Sequence, residues 1–256
     1  MDDTESVRLT GSTVVSAFCL APRGAAADGL PGAAPEALAD VPGFAFSRFA
    51  PLVHAVVRGC LDLKTPADGH VLDPDTPIIL ATQFGDAVTV DGPMLRAIGG
   101  KRPNALWFFQ SATTSVLSRL TRHYGLDGRL TCISTIDDPA GEALHMAELM
   151  LSADETEHVL IIGAELAPND RVACATARLW ELDGADTRSP EGDAAAALLL
   201  RRKNPAQPAG PDDLMPKGSV DPALAGRLGW LTPLFELCVE YGASTHHIAT
   251  SLRGTE

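Results

Sequence analysis

The chain has few basic residues, and this shortage argues against several kinds of partner. Its 256 residues include 20 lysines and arginines against 33 aspartates and glutamates, which gives a formal net charge of −13 and a pI of about 4.9. An acidic protein is repelled by the phosphates of nucleic acids and of anionic membrane surfaces. We therefore expect neither a nucleic acid nor a membrane as a partner.

The sequence also lacks the signals of export, membrane insertion and disulfide bonding. It starts with the acidic stretch MDDTES, and its apolar run AAAALLL (194–200) ends at Arg201, far short of the roughly 20 residues of a membrane-spanning helix. The five cysteines are an odd number and form no Cys-x-x-Cys pair. These features predict a cytoplasmic protein with reduced thiols.

Signatures of common cofactor and catalytic sites are missing as well. There is no Gly-x-Gly-x-x-Gly or P-loop pattern for nucleotides, and no Gly-x-Ser-x-Gly elbow of a serine hydrolase. The adjacent His246 and His247 would diverge by about 100° on a helix. No nearby spacing of Cys, Asp or Glu completes a zinc site around them. We expect neither a cofactor nor a metal ion.

The sequence does contain an alternation of strand-like and helix-like segments. Apolar or β-branched runs predict strands at 7–18, 76–85, 129–135, 158–166 and 193–202, the last of which could equally be helical. Apolar residues at helical spacing predict helices at 46–63, 91–100, 104–125, 139–151 and 230–242. Glycine- and proline-rich stretches predict loops at 21–43 and 203–228. The alternation indicates an α/β fold with several parallel strands.

Two adjacent carboxylates, Asp137 and Asp138, separate the predicted strand at 129–135 from the helix at 139–151. Asp138 suits a helix N-cap, and Pro139 suits the first helical position because its missing N–H has no intrahelical role. This structural interpretation explains Asp138 better than Asp137, which only adds negative charge at the positive helix end. The functional alternative, a catalytic pair, requires both carboxylates to fold toward one site.

An aromatic cluster, Trp107, Phe108 and Phe109, stands out in a chain with only 5% aromatic residues. Its structural interpretation is packing in the core. Its functional interpretation is an apolar wall for a lipid-like ligand or for a partner protein. The sequence leaves both interpretations open.

The order of the segments resembles the N-terminal half of β-ketoacyl synthases, which have the thiolase fold. In that family a helix ends in a glycine turn, a strand ends in Ser-Thr-Ala-Cys, a buried helix follows, and a later strand ends in a Gly-Gly-Ala-Glu type of motif. The corresponding stretches here are YGLDGR (124–129), IST (133–135) and IIGAE (161–165). This resemblance, over residues 7–202, implies an α/β thiolase-like fold with the N-terminal half (1–202) intact and the C-terminal half (203–256) reduced.

The same resemblance implies that the catalytic groups of a ketosynthase are missing. Asp137 falls at the position of the nucleophilic cysteine, where a carboxylate cannot replace the thiolate that accepts an acyl group from a thioester. Cys132 lies five residues upstream, within the predicted strand, and is expected to be a buried structural cysteine. The family's two histidine motifs are absent, since His246 and His247 lie in STHHIAT. We therefore expect no catalytic residue and no activity of the chain alone.

Chain length factors of type II polyketide systems share these losses, and the chain resembles them. They lack the cysteine and pair with an active ketosynthase. ALWFFQ (105–110) is similar to an aromatic stretch that many of them contain, and IDDPAGEAL (136–144) is similar to their EQAGGLDAL, with acid in place of glutamine. The short C-terminal half is similar to compact relatives from polyene and aryl polyene pathways.

This resemblance implies an indirect role in polyketide assembly. The chain would form a heterodimer with a ketosynthase, with the strand at 129–135 near the interface, and would meet acyl carrier protein through that subunit. Bulky side chains near the dimer axis would limit the acyl tunnel and so set product length, while hydroxyls there could bind a polar chain. The residues implied are Trp107, Phe108, Phe109, Gln110, Thr113 and Thr114.

Two other functions fit the same residues. A thiolase-fold acyltransferase or hydrolase would use Asp137 as its nucleophile or base. A scaffolding subunit would bind carrier protein without shaping a growing chain. Loss of turnover on an Asp137→Asn substitution would indicate the first, and a complex without a tunnel at 107–114 would favour the second.

Overall fold

A computed structural model describes residues 9–21, 38–62, 72–102, 105–153, 155–183, 189–203 and 220–241. The strands in these ranges are β1 (Ser12–Leu20), β2 (Ile78–Ala81), β3 (Leu130–Ile133), β4 (His158–Glu165) and β5 (Ala194–Arg202). The helices are α1 (Phe49–Asp62), α2 (Ala87–Ile98), α3 (Ala105–Ser111), α4 (Thr113–Tyr124), α5 (Pro139–Leu151), α6 (Asp170–Asp183), α7 (Pro222–Leu228) and α8 (Thr232–Tyr241). A 3₁₀ turn at Gly229–Leu231 joins the last two helices.

The five strands form one mixed sheet in the order β1-β5-β4-β2-β3. β3, β2 and β4 run parallel, while β5 is antiparallel to β4 and β1 is antiparallel to β5. The α/β fold with parallel strands predicted from the sequence is therefore confirmed, with an antiparallel pair added at one side. Because β2, β3 and β4 are parallel, their carboxyl ends meet at the same end of the sheet.

Helices cover both faces of the central strands, so those strands are apolar along their whole length. Ile79 and Ile161 face a core formed with α5, α7 and α8. Leu80 and Ile162, one residue further along each strand, face the opposite core formed with α1 and α4. The result is a three-layer α/β/α arrangement in which the C-terminal helices close one side of the core.

One glycine of the IIGAE stretch is explained by this packing. A Cβ atom at Gly163 would overlap the side chains of Leu234 and Leu231. Glycine at this position in β4 therefore lets the start of α8 and the preceding 3₁₀ turn lie directly on the sheet.

Several predicted boundaries differ from the structure. Helix α2 begins at Ala87 rather than at residue 91, because Asp86 caps it by accepting a 3.1 Å hydrogen bond from the Thr89 N–H; Pro93 then lies inside the helix. The single helix predicted at 104–125 is two helices, since Ala112 is extended (φ −79°, ψ 118°). The αL glycine predicted at the end of α4 is confirmed at Gly125 (φ 67°).

Two helices were not predicted. Within the predicted loop at 203–228, α7 starts at Pro222, where Asp221 accepts a 2.7 Å hydrogen bond from the Ala223 N–H. Helix α6 lies on the surface, since only Val172 among its described side chains is buried. Residues 22–37 and 204–219 of the two predicted loops, and His246 and His247, lie outside the described residues. No described helix has the length and apolarity needed to cross a bilayer.

Helix α5 begins and ends where the sequence predicts. Asp138 accepts a 2.8 Å hydrogen bond from the Gly141 N–H at its Oδ1, and Pro139 occupies the first helical position. A Cβ at Gly141 would overlap the Asp138 carboxylate, so glycine there permits the cap. The N-cap interpretation of Asp138 is confirmed.

The cap gives a prediction with a control in the adjacent residue. Asp138→Ala removes the acceptor for the Gly141 N–H and should lower the free energy of unfolding by about 1 kcal/mol. Asp137→Ala changes an exposed side chain and should alter the free energy of unfolding by no more than about 0.5 kcal/mol. Urea denaturation of both variants measures the difference. Equal losses would contradict the assignment of the cap to Asp138.

Candidate functional site

The candidate site lies at the carboxyl ends of the three parallel strands, where ligands bind in open α/β sheets. Residues 82–85, called the Gln83 turn, follow β2, and residues 134–138, called the elbow, follow β3. Glu165 is the last residue of β4. The main-chain N–H of Thr82 also donates to the carbonyl of Ile133 at 3.0 Å, which joins the turn to the end of β3.

Glu165 is a carboxylate buried at the centre of this site, with 1% of its surface exposed. Its Oε2 accepts hydrogen bonds from the Gln83 N–H at 2.6 Å and from the Thr82 hydroxyl at 3.1 Å. Its Oε1 accepts from the Phe84 N–H at 3.2 Å. The Thr82 oxygen in turn accepts from the Gly85 N–H at 2.8 Å. Together these bonds fix the backbone of the Gln83 turn.

Hydrogen bonds from Gln83 connect the Gln83 turn to the elbow. Its Nε2 donates to the carbonyl of Ile136 at 2.9 Å, and its own carbonyl accepts from the Ser134 hydroxyl at 3.0 Å. Its Oε1 accepts from the Ser189 hydroxyl at 3.2 Å. One buried glutamine therefore holds the elbow from two sides and links it to the segment that precedes β5.

The protonation of Glu165 is set by competition between burial and hydrogen bonding. Burial raises its pKa to about 7 from the ordinary 4.5, because desolvation disfavours the charged form. The hydrogen bonds from Gln83, Phe84 and Thr82 oppose this rise by favouring the carboxylate. The carboxyl group that organises the site therefore changes charge near neutral pH.

The elbow contains hydroxyl and carboxyl groups but no activated nucleophile in its described bonds. The Ser134 hydroxyl is engaged as a donor to Gln83. Asp138 is engaged by Gly141, whereas Asp137 is exposed, so the two carboxylates do not share one set of partners. This geometry does not support a catalytic pair. Within the described ranges, no group of three His, Cys, Asp or Glu side chains is placed to hold a metal ion.

Cys132 is not the buried structural cysteine that the sequence predicts. It lies exposed on β3, the strand at one side of the sheet, whose residues are exposed or half-buried throughout. That prediction is wrong because β3 lies at the margin of the sheet, so its apolar sequence does not imply burial. Desolvation nevertheless raises the pKa of the Cys132 thiol, and a hydrogen bond from Thr113 lowers it by less. Because the thiol stays protonated, it is a weak nucleophile at neutral pH.

The predicted tunnel residues occupy α3 and the first turn of α4. Trp107 is half-buried, with its ring 4.7 Å from that of Phe46 and the Arg96 guanidinium 5.4 Å above it. Phe108 is 75% exposed, and Phe109 is about half exposed with its ring 5.9 Å from that of Phe44. Core packing therefore does not account for Phe108 or Phe109.

The polar members of the set differ in their surroundings. Gln110 is buried: its Oε1 accepts from the Phe46 N–H at 2.9 Å, while its Nε2 has no partner among the described residues. Thr113 packs against Gly85, where a Cβ would lie only 2.7 Å from the Thr113 methyl group. Thr114 is exposed. Of the six residues, Thr113 is the one that joins this segment to the Gln83 turn.

A groove of about 410 Å³ lies on another side of the site, and Ser189 joins it to Gln83. It is lined by Pro168, Ala173, Thr176, Ala177, Ser189, Glu191 and Gly226. None of these residues belongs to α3 or α4. Sequence reasoning missed Gln83, Glu165 and Ser189, and the only signal was the glutamate that ends the IIGAE stretch.

Comparison with known proteins gives matches in structure only. No protein-family model matches the chain, and no curated protein sequence is similar to it. A chain in the complex of the ketosynthase ApeO with its chain length factor ApeC from Xenorhabdus doucetiae matches with a TM-score of 0.53 and 17% identity, over 77% of this chain and 81% of that one. The ishigamide ketosynthase/chain length factor matches with a TM-score of 0.57 and 15% identity, over 77% and 64%. A complex of a type II polyketide synthase acyl carrier protein with its ketosynthase, AntDE:AntF, matches with a TM-score of 0.51 and 17% identity, over 75% and 63%.

These matches confirm the thiolase-like, β-ketoacyl synthase fold that the sequence predicts. At such low identity they establish the fold alone. The chain spans less than two thirds of the matched chains in the second and third complexes, but four fifths of the matched chain in the first. The two shares in the first match are nearly equal, so that chain and this one are of similar length.

The raised pKa of Glu165 predicts a pH-dependent stability. The folded state keeps its proton up to a pH of about 7, whereas the unfolded state releases it near 4.5, so the stabilisation from this group is full below 4.5 and is lost as pH rises through 7. The loss is on the order of 3 kcal/mol. Urea denaturation between pH 5 and 8 of wild type and Glu165→Gln isolates this contribution. A glutamine variant with the wild-type pH dependence would show that Glu165 is already ionised at pH 5.

Proposed function

We propose that the chain is a non-catalytic, chain-length-factor-like subunit that pairs with an active ketosynthase in type II, polyene-like polyketide biosynthesis. In that complex it shapes the acyl tunnel and sets product length. The observation that carries the proposal is that Gln83, Ser134 and Asp138, the polar groups around the elbow of this ketosynthase-like fold, are engaged in structural hydrogen bonds. The resemblance implies that Asp137 takes the place of the nucleophile.

The chemistry of the elbow supports a role without catalysis. Condensation requires a nucleophile that accepts an acyl group from a thioester and releases it to an attacking enolate. A carboxylate such as Asp137 would give an anhydride, which hydrolyses readily. The Ser134 hydroxyl donates to a carbonyl and has no base among its described partners. The preserved elbow therefore serves shape rather than turnover.

The surface beside the elbow supports pairing with a second subunit. In the described part of the chain β3 pairs only with β2, which leaves its outer backbone groups as a template for another strand or segment. Leu130 on β3, Ile136 in the elbow and Phe108 on α3 are all exposed apolar side chains. A stable partner would cover about 800 Å² of this chain's surface, including these side chains.

The tunnel role is proposed for the residues implied by the resemblance. Phe109 is bulky, half exposed and backed by Phe44, so its side chain can obstruct a chain that enters from a partner. Thr113 connects this wall to the Gln83 turn. The complete set is Trp107, Phe108, Phe109, Gln110, Thr113 and Thr114, with Asp137 at the degenerate nucleophile position.

The domain assignment belongs to the same proposal. Residues 1–202 correspond to the N-terminal half of a ketosynthase, and residues 203–256 to a shortened C-terminal region. Within that region α7 and α8 pack on the sheet through Leu224, Leu228 and Phe235. Acyl carrier protein would deliver intermediates through the ketosynthase subunit.

Pairing is tested by a charge placed on the exposed aromatic surface. Phe108→Asp should weaken binding to a partner ketosynthase by at least about tenfold, because it puts a carboxylate into an apolar interface. Its thermal unfolding should match wild type, since the side chain is exposed. Leu149→Asp, on an exposed position of α5, is the control and should bind normally. A wild-type chain that purifies as a stable monomer and never binds the ketosynthase would refute the proposal.

Product length tests the tunnel. Phe109→Ala should give longer products and Phe109→Trp shorter ones in the reconstituted complex, because the side chain limits the space for the acyl chain. Mass spectrometry of the released chains measures the shift. Leu149→Ala should leave the product distribution unchanged, and Asp137→Asn should preserve turnover. Unchanged lengths in both Phe109 variants would exclude the tunnel role, and lost turnover in Asp137→Asn would favour the enzymatic alternative.

A further inference from the structure

One side of α2 carries exposed apolar residues that the fold does not use. Met94, Leu95 and Ile98, called the α2 stripe, are 57%, 69% and 81% exposed. At about 100° per residue they lie within roughly 100° of one another on the helix. The side of α2 that packs on α3 is different: Gly92 lies against the ring of Trp107, and Arg96 lies over it. The α2 stripe is therefore separate from the face that contacts α3.

The chain segment that contains the α2 stripe has a charge opposite to that of the whole protein. Residues 92–126 contain no aspartate or glutamate, although the chain has 33, and they contain five basic residues: Arg96, Lys101, Arg102, Arg119 and Arg122. This segment has a formal charge of +5 and the remainder −18. Charge is thus segregated along the chain, and α2 lies at the start of the positive segment.

The cations next to the α2 stripe are available for a partner. Lys101 and Arg102 directly follow the turn that ends α2, and both are exposed without an ion pair among the described residues. The acid on the same side of the helix, Asp91, is already engaged by Arg171 at 2.7 Å and by the Asn169 amide at 2.8 Å. No uncompensated acid in α2 therefore opposes an incoming negative charge.

Helix capping explains only part of this arrangement. Cations near a helix C-terminus stabilise it by about 0.3–1 kcal/mol, which would account for one basic residue after Ile98. Helix capping does not account for the three large apolar side chains that are exposed on the adjacent turn. Such side chains are more stable when they are buried, so their exposure indicates a surface that a partner covers. An apolar stripe flanked by cations is the complement of an acidic amphipathic helix.

We propose that the α2 stripe docks an acidic amphipathic helix of a partner protein. The apolar side of that helix would cover Met94, Leu95 and Ile98, and its carboxylates would pair with Lys101 and Arg102. Because the rest of the chain repels an acidic protein, the positive segment also directs the approach of the partner to this place. The small apolar area gives weak, transient binding with strong salt dependence.

Within the proposed function, the partner of this chemistry is acidic acyl carrier protein, which would then contact this chain directly as well as the ketosynthase. That identification rests on the proposed function, whereas the docking surface does not. The test uses one probe, an acidic carrier protein from a type II polyketide system. Its affinity is measured by fluorescence anisotropy for this chain alone and for its complex with the ketosynthase.

Two variants of the surface separate its charged and apolar parts. The double variant Lys101→Glu and Arg102→Glu, and the single variant Ile98→Ser, should each raise the carrier protein Kd at least about tenfold. Wild-type binding should weaken by a similar factor between low and high salt. Arg178→Glu, which reverses an exposed cation on α6, is the control and should bind as wild type does. Ketosynthase pairing should be unchanged in all of these variants.

The alternatives give different results. Equal carrier protein affinity in wild type and both surface variants would overturn the inference. So would loss of ketosynthase pairing in the same variants, or a stripe-dependent self-association in sedimentation, because each assigns the surface to another occupant. If wild type fails to bind the ketosynthase yet binds carrier protein in a stripe-dependent way, the proposed function falls and the docking surface stands.

Discussion

The hydrogen bonds that converge on Glu165 hold the rest of the site in place. Three parallel strands end at the same place, and their loops would diverge without a shared partner for their backbone N–H groups. The buried carboxylate supplies that partner for the Gln83 turn, and Gln83 then fixes the elbow through Ser134 and Ile136. Burying an ionisable group destabilises the fold unless hydrogen bonds compensate for the lost water. A carboxylate at this position therefore requires the N–H and hydroxyl donors of the Gln83 turn to stay in place.

The geometry of the elbow does not depend on the side chain of Asp137. The bonds from Gln83 reach the backbone of Ile136 and the hydroxyl of Ser134, and none of them involves Asp137. The elbow can therefore keep its shape whatever side chain stands at position 137. Around the elbow, the described part of the chain leaves one side of β3 without a strand partner, exposes aromatic residues on α3 and places a threonine against the Gln83 turn. Under the proposed function, this is the surface that would complete a site on a partner.

The sequence predicts elements well where local rules and packing agree. Helix α5 was predicted with its exact residues from a cap, a proline and apolar spacing, and all three act within the helix itself. Tertiary context decides the rest. β3 has the composition of a buried strand, yet it lies at the margin of the sheet, so Cys132 is exposed. Gln83 could not be recognised because its partners lie about 50 and 106 residues away in sequence.

Charge and burial together indicate how this fold is used. A chain with a net charge of −13 stays apart from other acidic proteins unless some region attracts them, and residues 92–126 are the acid-free region. The same region carries exposed apolar residues on two separate helix faces, α2 and α3. Large apolar side chains stay exposed on both faces, and the cations beside α2 have no ion pair within the described part of the chain. Covering these side chains and pairing these cations would therefore stabilise a complex with another protein. In the functions proposed for them, the α3 face would complete a tunnel with a ketosynthase, and the α2 face would receive an acidic protein.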